Sequence, residues 1–524
     1  MSEPPQYGYP PQQPWGGPNP YTQPPQQPSA GLPGQARPQP HLYGYPPPRP
    51  VPPPNPSPPL KSGRRRILMA VGGVVVALVA AGGVFFVNSS RDGEKKAARK
   101  PHDTKGQVAW QAPVPEFSGD KAVVPGTWFT DKVVAKTTTA SVTGYRLDSG
   151  SKAWSVPVPG PVCAAASTAN GRRTAVLYRT GRSCTHLMGI DLNAGKMLWT
   201  RLLPKSEYRD GKPIESASVA VAANNVAVAW GEGTKGYRLS DGEPRWGRSS
   251  SRNCTAEGFV GGDRLLAVGW CRQGADDEPD PKDKKKDKKK EKKAPKDNAV
   301  QYYVRERNPA TGNARWKWRA PKGVEVEAVL STSPVVLGTS TGNSVGPTGL
   351  LTLDDKGEPG VEIDLGKNED TADPNKTAYK TGCSLGLESC VNILTTKDTV
   401  YLPTNDKKVP GGTADRTNEI VAVDLSTGAE RWREQADPER TALPVGTADG
   451  DPVVYLGATG KQGGKLLRLD PKSGKKALYQ QNPDKGGTQE SQGATARKHL
   501  HDGRLYLVHE TLDDTADKLI TAYK

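Results

Sequence analysis

Hydrophobic and polar residues alternate along short stretches of this chain, and each stretch ends at a turn. The clearest stretch begins at Val421 and alternates up to Asp424. Gly428 follows four residues later, and Trp432 four residues after that. Alternation predicts a half-buried β strand. The Asp-x-x-x-Gly segment predicts a tight turn in which glycine supplies a positive φ, and Trp432 begins the return strand.

The same unit recurs in register along the chain. The other full copies are Gly150/Trp154, Gly195/Trp199, Gly242/Trp246 and Gly312/Trp316. Degenerate copies end at Val361 and Leu478. A fixed spacing of about 46 residues between repeat ends, with Gly and Trp at a set phase, predicts the blades of a β-propeller.

Each repeat has room for four short strands. In one repeat we expect them at Cys163–Thr168, Arg173–Arg179, Thr185–Leu192 and Met197–Leu202. Because no long segment has helical periodicity, the fold class is all-β. The tryptophan of the fourth strand is expected to pack between neighbouring blades, burying on the order of 200 Å². A residue repeated in every blade does not mark an active site.

The repeats predict eight blades, with seven as the alternative. Seven repeat ends are visible, and an eighth repeat is split between the two ends of the chain. Val108–Pro113, with Trp110, resembles a lone fourth strand, whereas Leu519–Tyr523 resembles an inner strand with no fourth strand after it. Pairing the two would close the ring and remove an exposed sheet edge.

With these motifs the chain resembles the pyrroloquinoline-quinone-like (PQQ-like) repeat family of quinoprotein-type β-propellers, in its membrane-anchored, actinobacterial form, from about Gln107 to Lys524. The resemblance implies a domain over residues 107–524 whose blade-docking residues are the glycines and tryptophans of the repeats. They are Trp110, Trp154, Trp199, Trp246, Trp316, Trp432, Gly150, Gly195, Gly242, Gly312 and Gly428.

The family includes quinone-dependent dehydrogenases, which use a vicinal Cys-Cys disulfide, a calcium ion with Glu, Asn and Asp ligands, and an Asp base. This chain has no adjacent cysteines and no Asp-rich calcium loop. We therefore carry over no catalytic, cofactor-binding or metal-binding residue and expect no cofactor. A binding or scaffolding propeller is expected, and a quinone-dependent enzyme or a sensor ectodomain is the alternative.

The first 106 residues differ in composition from the repeats. Residues 1–63 are rich in Pro, Gln and Gly, and so cannot bury enough apolar surface to fold. We expect a disordered tail, either simply solvated or binding a partner that recognises Pro-rich motifs. Residues 64–88 contain an uncharged apolar run, Ile67–Val87, long enough to cross a bilayer about 30 Å thick. Residues 89–106 are polar and basic and predict a juxtamembrane linker.

The six cysteines all follow the apolar run. An even set on one side of a membrane indicates disulfides in an oxidising compartment, which places the tail in the cytoplasm and the propeller outside the cell. Free buried thiols are the alternative. The blade register brings together Cys163 and Cys184, the latter in the turn after a second strand; it also pairs Cys254 with Cys271. Cys383 and Cys390 are close in sequence.

The distribution of charge adds little to the predicted function. The formal net charge is +16, and residues 276–297 form a Lys-rich insertion. Ten lysines there are offset by eight acidic residues, and aromatic residues are lacking, so nucleic-acid binding is not expected. A solvated loop or contact with a polyanionic envelope component is expected instead. His499 and His501 could form a metal pair, but surface or turn histidines beside Asp502 and Gly503 are the favoured interpretation because a zinc site needs further ligands.

Overall fold

The computed structural model describes residues 104–203, 214, 217–230, 233–249, 253–272, 299–341, 346–367, 377–383, 386–388, 390–409, 416–484, 490 and 495–524. The predicted tail, transmembrane segment and Lys-rich insertion lie outside these ranges, as does the linker up to residue 103. Within them every named element is a β strand. No helix of the described residues has the length and apolar character needed to cross a membrane.

The first half of the described chain forms one outer strand, one short strand and four antiparallel blades. In chain order they are β1 (Val108–Pro113) and β2 (Ala122–Val123); blade 1 with β3 (Thr127–Phe129), β4 (Val133–Thr137), β5 (Ser141–Arg146) and β6 (Lys152–Pro157); blade 2 with β7 (Val162–Ala165), β8 (Arg173–Thr180), β9 (Ser183–Asp191) and β10 (Lys196–Leu202); blade 3 with β11 (Ser218–Ala222), β12 (Asn225–Ala229), β13 (Gly233–Arg238) and β14 (Pro244–Ser249); and blade 4 with β15 (Cys254–Val260), β16 (Leu265–Arg272), β17 (Val300–Arg307) and β18 (Ala314–Arg319).

The second half forms the remaining four blades and three further short strands. The strands are blade 5 with β19 (Val324–Thr332), β20 (Val335–Thr341), β21 (Gly349–Leu353) and β22 (Pro359–Asp364); blade 6 with β23 (Leu394–Thr395), β24 (Thr399–Pro403), the short β25 (Lys407–Lys408) and β26 (Arg416–Thr417), then β27 (Glu419–Asp424) and β28 (Glu430–Gln435); blade 7 with β29 (Ala442–Ala448), β30 (Asp451–Leu456), β31 (Lys465–Leu469) and β32 (Lys476–Gln481); and blade 8 with β33 (Arg497–His501), β34 (Arg504–Val508), the short β35 (Thr511–Leu512) and β36 (Lys518–Tyr523). Two small sheets stand beside the blades, because β2 pairs with β35 and β25 pairs with β26.

The strands differ in their pattern of burial because they occupy different positions between the inner and outer edges of a blade. Second strands such as β12 and β30 are buried along almost their whole length, since adjacent blades cover both of their faces. Fourth strands such as β28 are largely exposed and bury their tryptophan. The apolar core therefore lies between the faces of neighbouring blades, as where side chains of blades 2 and 3 form one cluster.

Blade 8 is closed by the first strand of the domain. β1 pairs antiparallel with β36, with Trp110 opposite Ala522 and Gln111 opposite Thr521. The residues before β1 continue to blade 7, where Gln481 donates its backbone N–H to the carbonyl of Thr104 and accepts from Gly106, both at 2.7 Å. The predicted split blade and the count of eight are thus confirmed.

The seams between blades repeat one contact. The tryptophan of one blade's outer strand lies against the turn glycine of the next blade, where an added Cβ would overlap the indole; the closest approach, 2.1 Å, is between Gly195 and Trp154. These glycines all have positive φ. The pairs are Trp110 with Gly150, Trp154 with Gly195, Trp199 with Gly242, Trp246 with Gly312, Trp316 with Gly357, and Trp432 with Gly474, while Gly428 meets Val361.

Four of these indoles also make the same hydrogen bond. Each donates from Nε1 to the carbonyl that lies three residues before the turn glycine. The bonds are Trp110 to Leu147 at 2.9 Å, Trp199 to Leu239 at 2.8 Å, Trp246 to Pro309 at 2.9 Å and Trp432 to Pro471 at 3.0 Å. The bond satisfies the polar edge of a largely buried ring, so packing and polar satisfaction together explain the Gly and Trp spacing.

Candidate binding site at the channel mouth

The two faces of the propeller carry different connections. One face, which we call the turn face, carries the Asp-x-x-x-Gly turns and the short links between first and second strands, such as 130–132. At the other, which we call the loop face, lie the strand ends that long connections join, among them residues 273–299, 365–393 and 404–418. Binding residues in proteins concentrate on loops held by a rigid scaffold, which makes the loop face the candidate site.

The three predicted disulfides are present and lie at the loop face. Their Cα–Cα distances are 6.1 Å for Cys163–Cys184, 4.0 Å for Cys254–Cys271 and 3.9 Å for Cys383–Cys390, and no cysteine is free. One detail was wrong: Cys184 belongs to the third strand, β9, opposite Arg179. The turn before it is only two residues long, with Gly181 at positive φ, so the strand begins earlier than expected.

A cavity of about 1540 Å³ lies among the first strands, which surround the central channel of the propeller; we call this cavity the channel mouth. Its walls come mostly from the loop-face ends of those strands. Ala217–Val219 contribute from blade 3, Thr255–Glu257 from blade 4, and Val326 and Glu327 from blade 5. This volume is large enough for a peptide segment or a small organic molecule, so the channel mouth can hold a ligand.

One wall of the cavity is acidic and aromatic. Glu257 and Tyr302 of blade 4 interact by a side-chain hydrogen bond, and Glu327 lies beside them. Desolvation in the channel, with the Glu327 and Glu325 charges, raises the pKa of the Glu257 carboxyl to about 7, against the lowering effect of Tyr302. The side chain still faces the open cavity, whose water screens its charge. Trp230 and Phe259 complete this wall.

The wall formed by blade 8 has a different character. Arg497 approaches Glu510 with Nη1 and Oε1 3.4 Å apart, and His499 lies next to this pair along β33. Burial, reinforced by the charges of Arg497 and Lys136, lowers the pKa of His499 to about 3. This imidazole is therefore neutral at physiological pH and presents a polar but uncharged surface to the cavity.

The two histidines of β33 are packed in the seam with blade 1. The Phe129 ring lies 4.7 Å from the His501 ring and 5.5 Å from the His499 ring. Among the described residues no group of three or more His, Cys, Asp or Glu side chains is arranged to hold a metal ion. Both histidines are half-buried residues of a strand that pack on Phe129, so the expectation of surface or turn histidines was wrong.

A short segment of blade 6 reaches into the cavity. We call residues 386–388 the strap; the Cys383–Cys390 disulfide flanks it. The Leu387 carbonyl accepts the backbone N–H of Val329 in blade 5 at 2.7 Å. The Ser167 hydroxyl of blade 2 donates to the Glu388 carboxylate. The strap thus crosses the channel mouth and contacts blades other than its own.

The described residues that line the cavity include none of the repeat tryptophans. The residues that do line it, such as Glu257, Tyr302 and Leu387, were not predicted from the sequence. Each occurs once, outside the repeated motif, and a single sequence offers no signal for such positions. The only indirect signal was the 71-residue gap between Val361 and Trp432, which contains the strap.

Comparisons with known proteins agree with the repeat. Residues 94–267 match the family model described as outer membrane protein assembly factor BamB, of the PQQ-like repeat class. Over these residues the chain is similar to PQQ-like repeat propellers. The predicted resemblance to the PQQ-like repeat is therefore confirmed, and with it the eight-bladed propeller. A search among curated proteins returned no match.

Solved structures similar to this propeller are of mixed kinds. BamB from Moraxella catarrhalis is 14% identical, with 78% of this chain and 97% of that chain covered and a TM-score of 0.40. The quinohemoprotein alcohol dehydrogenase ADHIIG from Pseudomonas putida HK5 is 12% identical, with 81% and 76% covered and a TM-score of 0.44. The quinohemoprotein alcohol dehydrogenase from Comamonas testosteroni is 12% identical, with 80% and 76% covered and a TM-score of 0.42.

Proposed function

We propose that this protein is a membrane-anchored, non-catalytic binding platform that presents its propeller outside the cell. Its ligand is a protein, a peptide or a component of the cell envelope, bound at the loop face. One observation carries the proposal: the long connections, the three disulfides and the large cavity all occur on the same face. The turn face carries short turns built from the repeat motif.

The composition of the cavity suits such a ligand. A carboxylate wall with Tyr302, Trp230 and Phe259 faces a wall with Arg497 and a neutral His499. Aromatic and arginine side chains are enriched where proteins recognise one another, and the carboxylates add charge complementarity towards a partner. The disulfides hold this face in shape, so less ordering entropy is lost when a ligand binds.

The extracytoplasmic location rests on the cysteines and on the apolar run. Pairing of all six cysteines is typical of oxidising compartments. Ile67–Val87 supplies the single membrane anchor, and residues 1–63 then remain in the cytoplasm, where their Pro-rich motifs are available to a partner.

A quinone-dependent dehydrogenase-like enzyme or a sensor ectodomain is the second candidate. The family match is compatible with both of these roles. The strap argues against a quinone enzyme, because a cofactor entering at the loop face meets residues 386–388 first. The sequence also lacks the adjacent cysteines that the family's enzymes use.

Site-directed photo-crosslinking on intact cells tests the platform. A photoreactive side chain is placed at Val391, which is 46% exposed and lines the cavity. The matched control carries it at Ser149, which is exposed in a turn on the opposite face. We expect a discrete crosslinked product from position 391 and none from position 149. Equal products from both positions, or none from position 391, would contradict binding at the loop face.

A further inference from the structure

We infer that the strap is a displaceable internal ligand: it occupies the place where an extended segment of the partner binds, and the partner must replace it. This inference rests on the proposed function and names the chemistry of the partner. The segment that fits carries an aliphatic side chain followed by a carboxylate, because Leu387 and Glu388 supply those two groups to the site at present.

Leu387 is the anchor of the strap. Its side chain packs against the apolar cluster formed by blades 4 and 5, which includes Val326 and Val329. The site makes room for it at Gly258, where an added Cβ would lie 3.0 Å from Leu387 Cδ1. A larger residue at Gly258 would therefore press on the leucine, and the glycine shapes an aliphatic pocket.

The backbone of the strap binds to the inner edge of blade 5. β19 pairs with β20 on one side, and its other edge faces the channel. At Val329 the N–H on that free edge finds its acceptor in the Leu387 carbonyl at 2.7 Å. Addition of an extended segment to a free strand edge is a recurring mode of peptide recognition. The strap uses this mode within its own chain.

The carboxylate of the strap is held on the far side of the channel. Ser167 of blade 2 donates to Glu388. Burial raises the pKa of the Glu388 carboxyl, and the Ser167 hydroxyl and the nearby Arg497 of blade 8 oppose that shift. The groups that a partner's carboxylate would meet are thus a hydroxyl and a guanidinium. Both come from blades other than the one that carries the strap, so both remain in place when it leaves.

The strap is fixed at its base and has few contacts at its tip. The Cys383–Cys390 disulfide closes its base, so displacement does not release a long loop. Val391, just beyond the disulfide, is 46% exposed. Among the residues that the structure describes, one apolar side chain, one backbone hydrogen bond and one hydroxyl–carboxylate contact hold the tip. A longer ligand that repeats these contacts and adds its own can replace it.

The test uses full-length protein in detergent and a fluorescent cyclic peptide with the sequence of residues 383–390, Cys-Ser-Leu-Gly-Leu-Glu-Ser-Cys. Leu387→Ser removes the anchor, and Leu478→Ser is the matched control, the same change at a leucine that is 47% exposed on the outer strand β32, outside the cavity. Anisotropy should show binding to Leu387→Ser about tenfold tighter than to the wild type or to Leu478→Ser, because the site is no longer occupied. A peptide with serine at its second leucine should lose binding.

Equal affinity for the wild type and Leu387→Ser, or no binding to Leu387→Ser, would overturn the inference. Hydrogen exchange on the wild type supplies a second measurement that needs no variant. The Val329 amide should exchange faster than the amides of β19 that pair with β20, and protection equal to theirs would mean that the strap does not open. If position 391 crosslinks to a partner but the peptide test fails, the proposed binding platform is supported and only the proposed role of the strap is contradicted.

Discussion

At the scale of the residue, the seams depend on where a side chain has no room. Glycines with positive φ occur both in the seams and in exposed turns. At Gly195 an added Cβ would lie 2.1 Å from Trp154, whereas at Gly171, with the same φ of 59°, nothing lies within 4 Å. The two positions therefore separate the cost of backbone conformation from the cost of steric overlap.

The prediction compares Gly195→Ala with Gly171→Ala. Both variants place alanine in the left-handed region, which costs about 1–2 kcal/mol. Gly195→Ala also forces the indole of Trp154 to move, at a further cost of roughly 1–3 kcal/mol. Urea denaturation of the two variants measures the difference. Equal midpoints would show that the glycine is needed for its turn alone.

Lys136 gives a residue-scale prediction about pH. It is fully buried, and its Nζ donates to the carbonyls of Val124 and Gly126. Burial, partly opposed by Glu510, lowers its pKa to about 7 from the ordinary lysine value of 10.5. The unfolded chain binds this proton more tightly, so the buried ammonium group destabilises the folded state. This destabilisation is fully present below pH 7 and disappears as the pH rises towards 10.5.

We therefore expect the wild type to gain stability relative to Lys136→Met on the alkaline side of neutrality. The difference in the free energy of unfolding should change by roughly 1 kcal/mol per pH unit between about pH 7.5 and pH 9.5. Denaturant titrations across that range measure it. Lys132→Met, at an exposed lysine of the same hairpin, is the control. Parallel pH profiles for wild type and Lys136→Met would contradict the shift.

At the scale of the element, the blades were predictable from the sequence because the same turn and the same packing of an outer strand recur from repeat to repeat. Asp424, Gly428 and Trp432 fix a turn and its return strand, and that spacing repeats. Departures from the pattern were not predictable. Glu306 stands opposite Trp316, where blades 1 to 3 have glycine; it accepts from the Trp316 indole at 2.8 Å and from Arg315 at 2.6 Å.

The channel could not be read from the sequence for a related reason. Its walls combine side chains from several blades, and none of those side chains repeats. Ser167 and Glu388 are 221 residues apart along the chain, and their contact depends on where the strap lies. Local periodicity predicts strands and turns, whereas this contact depends on closure of the whole ring.

Ring closure itself gives a prediction at this scale. Trp110 of β1 is 7% exposed and packs on Gly150 of blade 1. Trp110→Ala should cost about 3–5 kcal/mol, as for a large core residue. The half-buried channel residue Trp230 provides the comparison, and Trp230→Ala should cost less. A change below about 0.5 kcal/mol for Trp110→Ala, typical of a surface position, would contradict the closure.

At the scale of the whole molecule, the membrane anchor and the orientation of the chain are predictions. A reporter enzyme that works only outside the cytoplasm should be active when fused after Lys524 and inactive when fused after Pro10. A cytoplasmic reporter should give the reverse. This pattern follows from the disulfides on one side of Ile67–Val87; the opposite pattern would place the paired cysteines in a reducing compartment.

A thermal-shift titration of the full-length protein with pyrroloquinoline quinone and calcium separates a binding platform from a quinone enzyme most directly. A ligand that binds the native state raises stability by RT ln(1 + [L]/Kd). A platform whose channel mouth is occupied by residues 386–388 should keep the same unfolding temperature at every concentration of the two ligands. A saturable rise in that temperature that requires both ligands would contradict the account and favour the enzyme.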